Sequence, residues 1–246
     1  MVKHLFRIVF ICFAPLLSGC EALFFDDLSE IEQLTISNES FKHIVVSNSF
    51  NIVLKQQEDF SVTVEAPVEL QDGVKVRIVN DTLTISDTNK YQWSPSYKIP
   101  CVTFSFPTLP SIHIKAPVNM QTVGVVKQPA FRLLTTAHTG TINLNVDVTS
   151  LSVGTGHTYD SGVFTVTGKA GNAFFWMRNS ASLNASNLDS DNVRVINNSR
   201  GDSYVRTNGK LQVIINSHGN VYYSGTPNEI VIEELTSTGS LIRLTY

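Results

Sequence analysis

Val193-Arg194-Val195-Ile196-Asn197-Asn198-Ser199-Arg200-Gly201 runs an alternating apolar strand into a neutral polar turn, and the chain does this three more times. The related segments are Phe174–Ser182, Leu211–Gly219 and Ile230–Gly239, with turns Asn179-Ser180-Ala181-Ser182, Asn216-Ser217-His218-Gly219 and Thr236-Ser237-Thr238-Gly239. The period is roughly 18–20 residues, within the range at which stacked coils repeat in solenoids. Shorter strands at Leu183–Ser186, Tyr204–Thr207, Val221–Ser224 and Leu241–Leu244 keep the same interval. A coil of about 19 residues then holds two or three strands, each pairing in parallel with its counterpart one coil away at about 4.8 Å. Alternate residues such as Val193 and Val195, or Leu211 and Val213, point inward as apolar columns. The spacing also predicts polar columns at the bend. Thr136, Thr155, Asn179, Asn198, Asn216 and Thr236 form one, and Ser180, Ser199, Ser217 and Ser237 the next. Their side chains hydrogen-bond along the stack. Six coils from Phe131 onward make a rod about 25–30 Å long.

Upstream, Phe41–Val46, Phe50–Lys55, Ser61–Ala66, Val74–Val79 and Thr82–Ser86 alternate as strands rich in β-branched residues. Asn80-Asp81 is a tight hairpin turn between two of them. Ile99–Phe106, Ile112–Lys115 and Val123–Val126 resume the pattern, with Pro107, Pro110 and Pro117 at the bends. These N-terminal strands form the first coils or a cap. Tyr91-Gln92-Trp93-Ser94-Pro95-Ser96-Tyr97 breaks the alternation and is read as covering an open end of the core. No segment keeps a helical period over three turns, so the chain is all-β.

The N-terminus has a different purpose. Lys3, His4 and Arg7 precede the apolar run Ile8–Leu17, which leads into Leu17-Ser18-Gly19-Cys20. A basic region, a short apolar core and small residues before a cut site mark a secretory signal, and the run is short for a membrane span. Cys20 after Leu-Ser-Gly resembles the bacterial lipoprotein box, in which that cysteine is acylated. The expected organisation is a signal peptide over 1–19, a tether over 20–38 and a β-helix domain over 39–246. The expected partner is therefore a membrane, reached through a lipid anchor at Cys20, and the expected location is the bacterial cell envelope.

Composition narrows the function further. The 18 basic and 21 acidic residues give a net charge of −3. Loss of Lys3 and Arg7 with the signal leaves 16 against 21, or −5, which offers nucleic acid no basic face. Charged residues make up 16% of the chain, against about 25% in ordinary domains. Neutral turns suit stacked coils, where a repeated like charge would repel itself. Cys101 remains as a lone thiol in a strand, read as buried and inert rather than nucleophilic.

The sequence carries no nucleophile elbow, phosphate loop or zinc-protease helix, and no cofactor site is expected. His138 and His157 lie about one repeat apart with Asp160 nearby, but exposed turn histidines are the expectation over a metal site. A polysaccharide-cleaving β-helix would cluster acids. Asp160, Asp189, Asp191 and Asp202 instead fall in or near turns, and Asp189-Ser190-Asp191 reads as a solvated turn. Tyr159, Trp176, Tyr204, Tyr222 and Tyr223 are the aromatics suited to stacking on sugars. Tyr222 and Tyr223 face opposite ways, so at most one of them is free to bind.

The segment Phe41-Lys42-His43-Ile44-Val45-Val46-Ser47-Asn48-Ser49-Phe50-Asn51-Ile52-Val53-Leu54 resembles the opening of the head GIN domain family of auto-transporter adhesins. Val62-Thr63-Val64-Glu65-Ala66-Pro67, Asp81-Thr82-Leu83-Thr84-Ile85 and Tyr223-Ser224-Gly225-Thr226-Pro227 extend the likeness over roughly Phe41 to Leu244. The resemblance implies a right-handed parallel β-helix on a secreted or lipid-anchored protein. It carries no catalytic residues. Several family turn glycines are replaced here, at Ala181, Ser182 and Arg200. The expected function is a non-catalytic adhesion or ligand-binding module for a glycan or protein surface. A carbohydrate-active enzyme and a structural or sensor subunit are the alternatives.

Overall fold

The structure is a computed structural model that describes residues 30–136, 140–156 and 159–245. His138, His157, the expected signal peptide over 1–19 and Cys20 lie outside the described residues. Over the described residues the chain is a β-solenoid with very little helix. Three stacks of strands share one apolar interior.

The coils are most regular in the second half. The long strands β10 (Val126–Thr135), β11 (Thr141–Thr155), β12 (Val163–Asn179) and β14 (Leu188–Ser199) each bend across more than one stack. On the first stack, Leu133, Val153, Phe175, Val195, Val213 and Ile232 succeed one another in parallel register, through β16 (Lys210–Ile215) to β18 (Glu229–Leu235). That makes six coils from β10 onward, as the repeat predicts. The second stack continues from the starts of β11 and β12 through β13 (Ser182–Ala185), β15 (Ser203–Arg206), β17 (Val221–Ser224) and β19 (Leu241–Arg243). The third runs between them over residues 126–130, 146–150, 168–172 and 188–192. Inward side chains alternate with outward ones, and Phe164, Val166, Phe175, Val195 and Val213 are fully buried. At the bend between the second and third stacks, Gly168 has φ +105°, and a Cβ there would lie 2.0 Å from the Val146 carbonyl oxygen. Only glycine fits that corner.

The N-terminal coils depart from sequence order. β2 (His43–Val46) lies between β6 (Thr82–Asp87) and β8 (Ser111–Ile114), while β3 (Phe50–Gln56) lies between β7 (Cys101–Phe106) and β9 (Val118–Val123). The first coil in sequence is thus the second in space. The outermost strands are then covered by antiparallel partners. β5 (Val74–Val79) closes on β6, β4 (Ser61–Pro67) on β7, and β1 (Ile31–Ser37) on β4. The expected tether over 20–38 therefore yields to a strand at Ile31, because β4 would otherwise present a bare edge. Asn80 and Asp81 have φ 49° and 58°, the left-handed pair that a two-residue hairpin requires.

The aromatic loop splits its roles. Tyr97 is buried in the core, and its hydroxyl donates to Asp87. Asn89 completes the cluster, donating from Nδ2 to Asp87 Oδ1 at 2.8 Å and to the Leu70 carbonyl at 2.8 Å. Leu70 belongs to the single helical turn α1 (Val68–Gln71). Burial and the adjoining Asp87 push the Tyr97 hydroxyl pKa well above its ordinary value. Trp93 instead points out, 76% exposed.

The polar columns also need correction. Thr135, not Thr136, is in register with Thr155, and Asn179 is in register with Ser199, not Asn198. Asn216 and Thr236 of that column bond as expected, Thr236 Oγ1 donating to Asn216 Oδ1 at 2.8 Å. The coil lengths vary by a residue or two, so turn letters align differently from strand letters. The buried polar residues of the bend include Thr135, Thr155, Asn197 and Ser199. Ser199 Oγ donates to the Ala181 carbonyl at 2.6 Å and accepts from the Gly201 amide at 3.0 Å.

Candidate ligand-binding face

The outer surface of the first stack carries the densest chemistry. The rule that alternates faces along a strand puts Phe174, Trp176 and Arg178 of β12 on that surface. Register adds Arg194 beside Phe174, Ile196 beside Trp176 and Asn198 beside Arg178. The next coil contributes Gln212 and Ile214. Gly154 lies opposite Trp176 on the other side and leaves room for the indole. The result is an aromatic and aliphatic strip bordered by arginines and amides.

The arginines ride on the rings. Arg178 Cζ sits 4.1 Å from the Trp176 ring centroid, and Arg194 Cζ 5.9 Å from that of Phe174. Such contacts contribute on the order of 0.5–2 kcal/mol and hold the guanidiniums in place. Arg194 Nη2 also donates to Glu233 Oε2 at 2.7 Å, and Gln212 Nε2 to Glu233 Oε1 at 3.1 Å. Arg178 has no ion pair among the described residues. Four polar atoms of this face are buried with no hydrogen-bond partner among the described residues: Trp176 Nε1, Arg178 Nε, Arg194 Nε and Asn198 Oδ1. An open depression of about 280 Å³ adjoins it, lined by Asn172, Phe174, Asn192, Arg194 and Gln212. Asn192 Nδ2 donates to Asn172 Oδ1 at 3.0 Å along its wall. Oriented donors beside flat apolar rings can recognise an oxygen-rich ligand.

The other candidates fare differently. Tyr204 and Tyr222 stack on each other outside the second stack, centroids 4.6 Å apart and 7° from parallel, while Tyr223 packs against the core. Tyr159 is exposed at a turn. Asp160 is buried and accepts from Thr135 Oγ1 at 3.1 Å. Asp202 accepts from the Asn220 amide at 2.8 Å at another bend. Asp189-Ser190-Asp191 is not a solvated turn but the start of β14, with Asp189 and Asp191 outward and Ser190 inward. There Asp189 closes an alternating column of Lys127, Asp147, Lys169 and Asp189, with Arg206 Nε 3.8 Å away. The alternation removes the like-charge repulsion that a stacked column would otherwise suffer. The four aspartates share no groove. Among the described residues no group of three or more His, Cys, Asp or Glu could hold a metal ion.

Cys101 is half-buried and outward rather than in the core. Burial, and then the nearby Glu65 carboxylate, push its thiol pKa up, so the thiolate form is disfavoured. His113, on the outer surface of β8, lies 3.0 Å from Thr136 Oγ1 through Nε2. Burial and the Lys115 charge lower its pKa below 6.5, with Asp160 working the other way. The folded protein therefore binds this proton less readily than the unfolded chain. Its contribution to stability is whole above about pH 6.5 and is lost as pH falls from there through the lowered folded value. Thermal melts from pH 7.5 to 5 should show a declining midpoint, and His113→Gln should flatten that decline.

Arg178 and Arg194 carry no motif in the sequence. The signal that finds them is the spacing Phe174-x-Trp176-x-Arg178, which puts three large side chains on one outward strand face.

Fold and face together define a β-solenoid whose chemistry sits on open sheet surfaces rather than in a cleft. Residues 40–227 match the family model described as "Putative auto-transporter adhesin, head GIN domain", and the chain belongs to that family. No curated protein matches it. Among solved structures it resembles a putative adhesin from Bacteroides fragilis at TM-score 0.77 and 17% identity, covering 88% of this chain and 98% of that one. A putative adhesin from Parabacteroides distasonis aligns at TM-score 0.62 and 16% identity, over 88% and 98%. A putative lipid binding protein from the same species aligns at 0.58 and 15%, with the same coverage. These likenesses concern the fold.

Proposed function

We propose that the protein is a lipoprotein of the bacterial cell envelope, anchored through Cys20, that acts as a non-catalytic adhesion module. Its contact surface is the outer face of the first stack, and its ligand is a glycan or a polar protein surface. The observation that carries this reading is the outward strip of Phe174, Trp176, Arg178 and Arg194, with each guanidinium laid over a ring beside an open depression. Flat rings beside guanidinium and amide donors suit a ligand that offers both apolar faces and oxygens. Adhesin family membership supports the same reading.

The test is a screen of the purified protein against glycan arrays and immobilised envelope or host proteins. Arg178→Ala combined with Trp176→Ala should weaken any ligand found by at least about tenfold, the effect of losing roughly 1.4 kcal/mol. Circular dichroism would confirm that the variant remains folded. Binding untouched by the double variant would place the contact elsewhere.

The enzymatic alternative rests on one place, an open depression of about 560 Å³ on the third stack lined by Lys127, Asp147 and Asp191 among others. Product release from a polysaccharide panel, lost in Asp147→Asn or Asp191→Asn, would favour it over adhesion.

A further inference from the structure

The N-terminal end of the solenoid carries apolar side chains that its cap does not cover. Ile31 is 64% exposed, Val68 45%, Ile99 47%, Tyr91 43% and Trp93 76%. The pairing brings the first three together. Ile31 is opposite Pro67, next to Val68, and the register that sets Glu65 opposite Cys101 carries Pro67 towards Ile99. The aromatic loop is tied to the same surface. Asn89 bonds the Leu70 carbonyl of α1, Gln71 Nε2 donates to the Glu32 carbonyl of β1 at 2.9 Å, and Tyr91 and Trp93 meet edge to face at 6.4 Å. Lys90 and Lys98 flank the loop and are exposed.

We propose that this end seats on the lipid surface to which the protein is anchored, with Trp93 and Tyr91 at the membrane–water interface. This rests on the proposed acylation of Cys20. Chain length keeps this end within reach of the membrane. Nine residues, 21–29, separate the acylated cysteine from Glu30, and the ten steps between them span at most about 36 Å. β1 begins at Ile31, inside the apolar surface, so the anchor and the exposed aromatics share one end. Trp and Tyr favour the headgroup level, and flanking lysines extend to the phosphates while their stems stay apolar. Glu32, Glu69 and Asp72 are also exposed on the cap. Their charge offsets the lysines, so insertion of the rings, not attraction to anionic lipid, supplies the contact. The solenoid axis then stands away from the membrane and presents the Trp176 face above it.

The chain has two tryptophans, Trp93 and Trp176, which makes the test direct. The full acylated protein is placed in phosphatidylcholine vesicles with plain or brominated acyl chains, as Trp176→Phe and as Trp93→Phe. Seated about 5–10 Å deep as interfacial residues are, Trp93 should lose about half its emission on brominated lipid. Trp176 lies five strand spacings from β6, about 24 Å along the axis, and should lose almost none. Quenching of Trp93 alone, unchanged when anionic lipid is added, supports the seating. Vesicle-bound protein whose Trp93 is unquenched, or whose Trp176 is quenched instead, overturns it and leaves the anchor standing. Mass spectrometry showing no acyl group at Cys20, with no vesicle binding, overturns both.

Discussion

Phe175→Ala is expected to lower the unfolding free energy by about 3–5 kcal/mol, the range for emptying a fully buried aromatic site. Phe175 is 0% exposed and stands in the inward column between Val153 and Val195. Neighbouring coils cannot close the gap easily, because β12 is hydrogen-bonded to β11 on one side and β14 on the other at fixed spacing. The cavity therefore persists. Its position matters as much as its size. In a stacked array each coil holds mainly its neighbours, so weakening β12 loosens the join between the capped N-terminal coils and the later ones. Urea titration should show a large fall in the midpoint. Amide exchange should quicken most in β14 and β16, with the cap strands β4 and β7 least affected. A midpoint within error of the parent would show that the column repacks.

Asn197→Ala is expected to cost about 2–4 kcal/mol, from buried groups left unbonded at about 1–3 kcal/mol each. Asn197 is 0% exposed in a column whose neighbours, Met177 and Ile215, are apolar. Its Nδ2 donates to the Gly219 carbonyl at 3.0 Å and the Gly201 carbonyl at 3.3 Å, and its Oδ1 accepts from the Ser199 amide at 3.3 Å. One side chain thus ties its own turn to the turn of the next coil. These turns approach closely, for a Cβ on Gly219 would lie 2.1 Å from the Gly201 carbonyl oxygen. Asn197→Leu separates volume from bonding. It restores apolar contact in the column but none of the turn bonds, so it should recover little of the loss in chemical denaturation. Recovery to the parent value would mean that Asn197 acts by packing.

The last described coil leaves apolar positions of its column uncovered. Ile230, Ile232 and Leu235 occupy inward register positions yet are 41–52% exposed, since no described coil follows to cover them. β18 also carries Glu229, Glu233 and Glu234, and its register shifts opposite Val213 and Ile214. Charge and an irregular register both discourage another strand from adding to the edge.

Much of this architecture was legible in the residues. The repeat in Val193–Gly201 and its relatives specifies stacked parallel coils, because strand alternation and turn chemistry act over a few residues and recur at one interval. The Asn80-Asp81 hairpin, the opposed faces of Tyr222 and Tyr223 and the family resemblance follow from equally local patterns. Three features depended on tertiary structure. The column at the bend turned on register, since the coils differ in length and Asn179 stands opposite Ser199 and not Asn198. The N-terminal order, with β2 and β3 inserted between later strands, depends on which distant edges find partners, and local propensity does not encode that choice. The Arg178–Trp176 face was hidden for the same reason. Sequence alone settled which residues face outward, but only stacking decided which outward residues from different coils stand together and which polar atoms they leave without a partner.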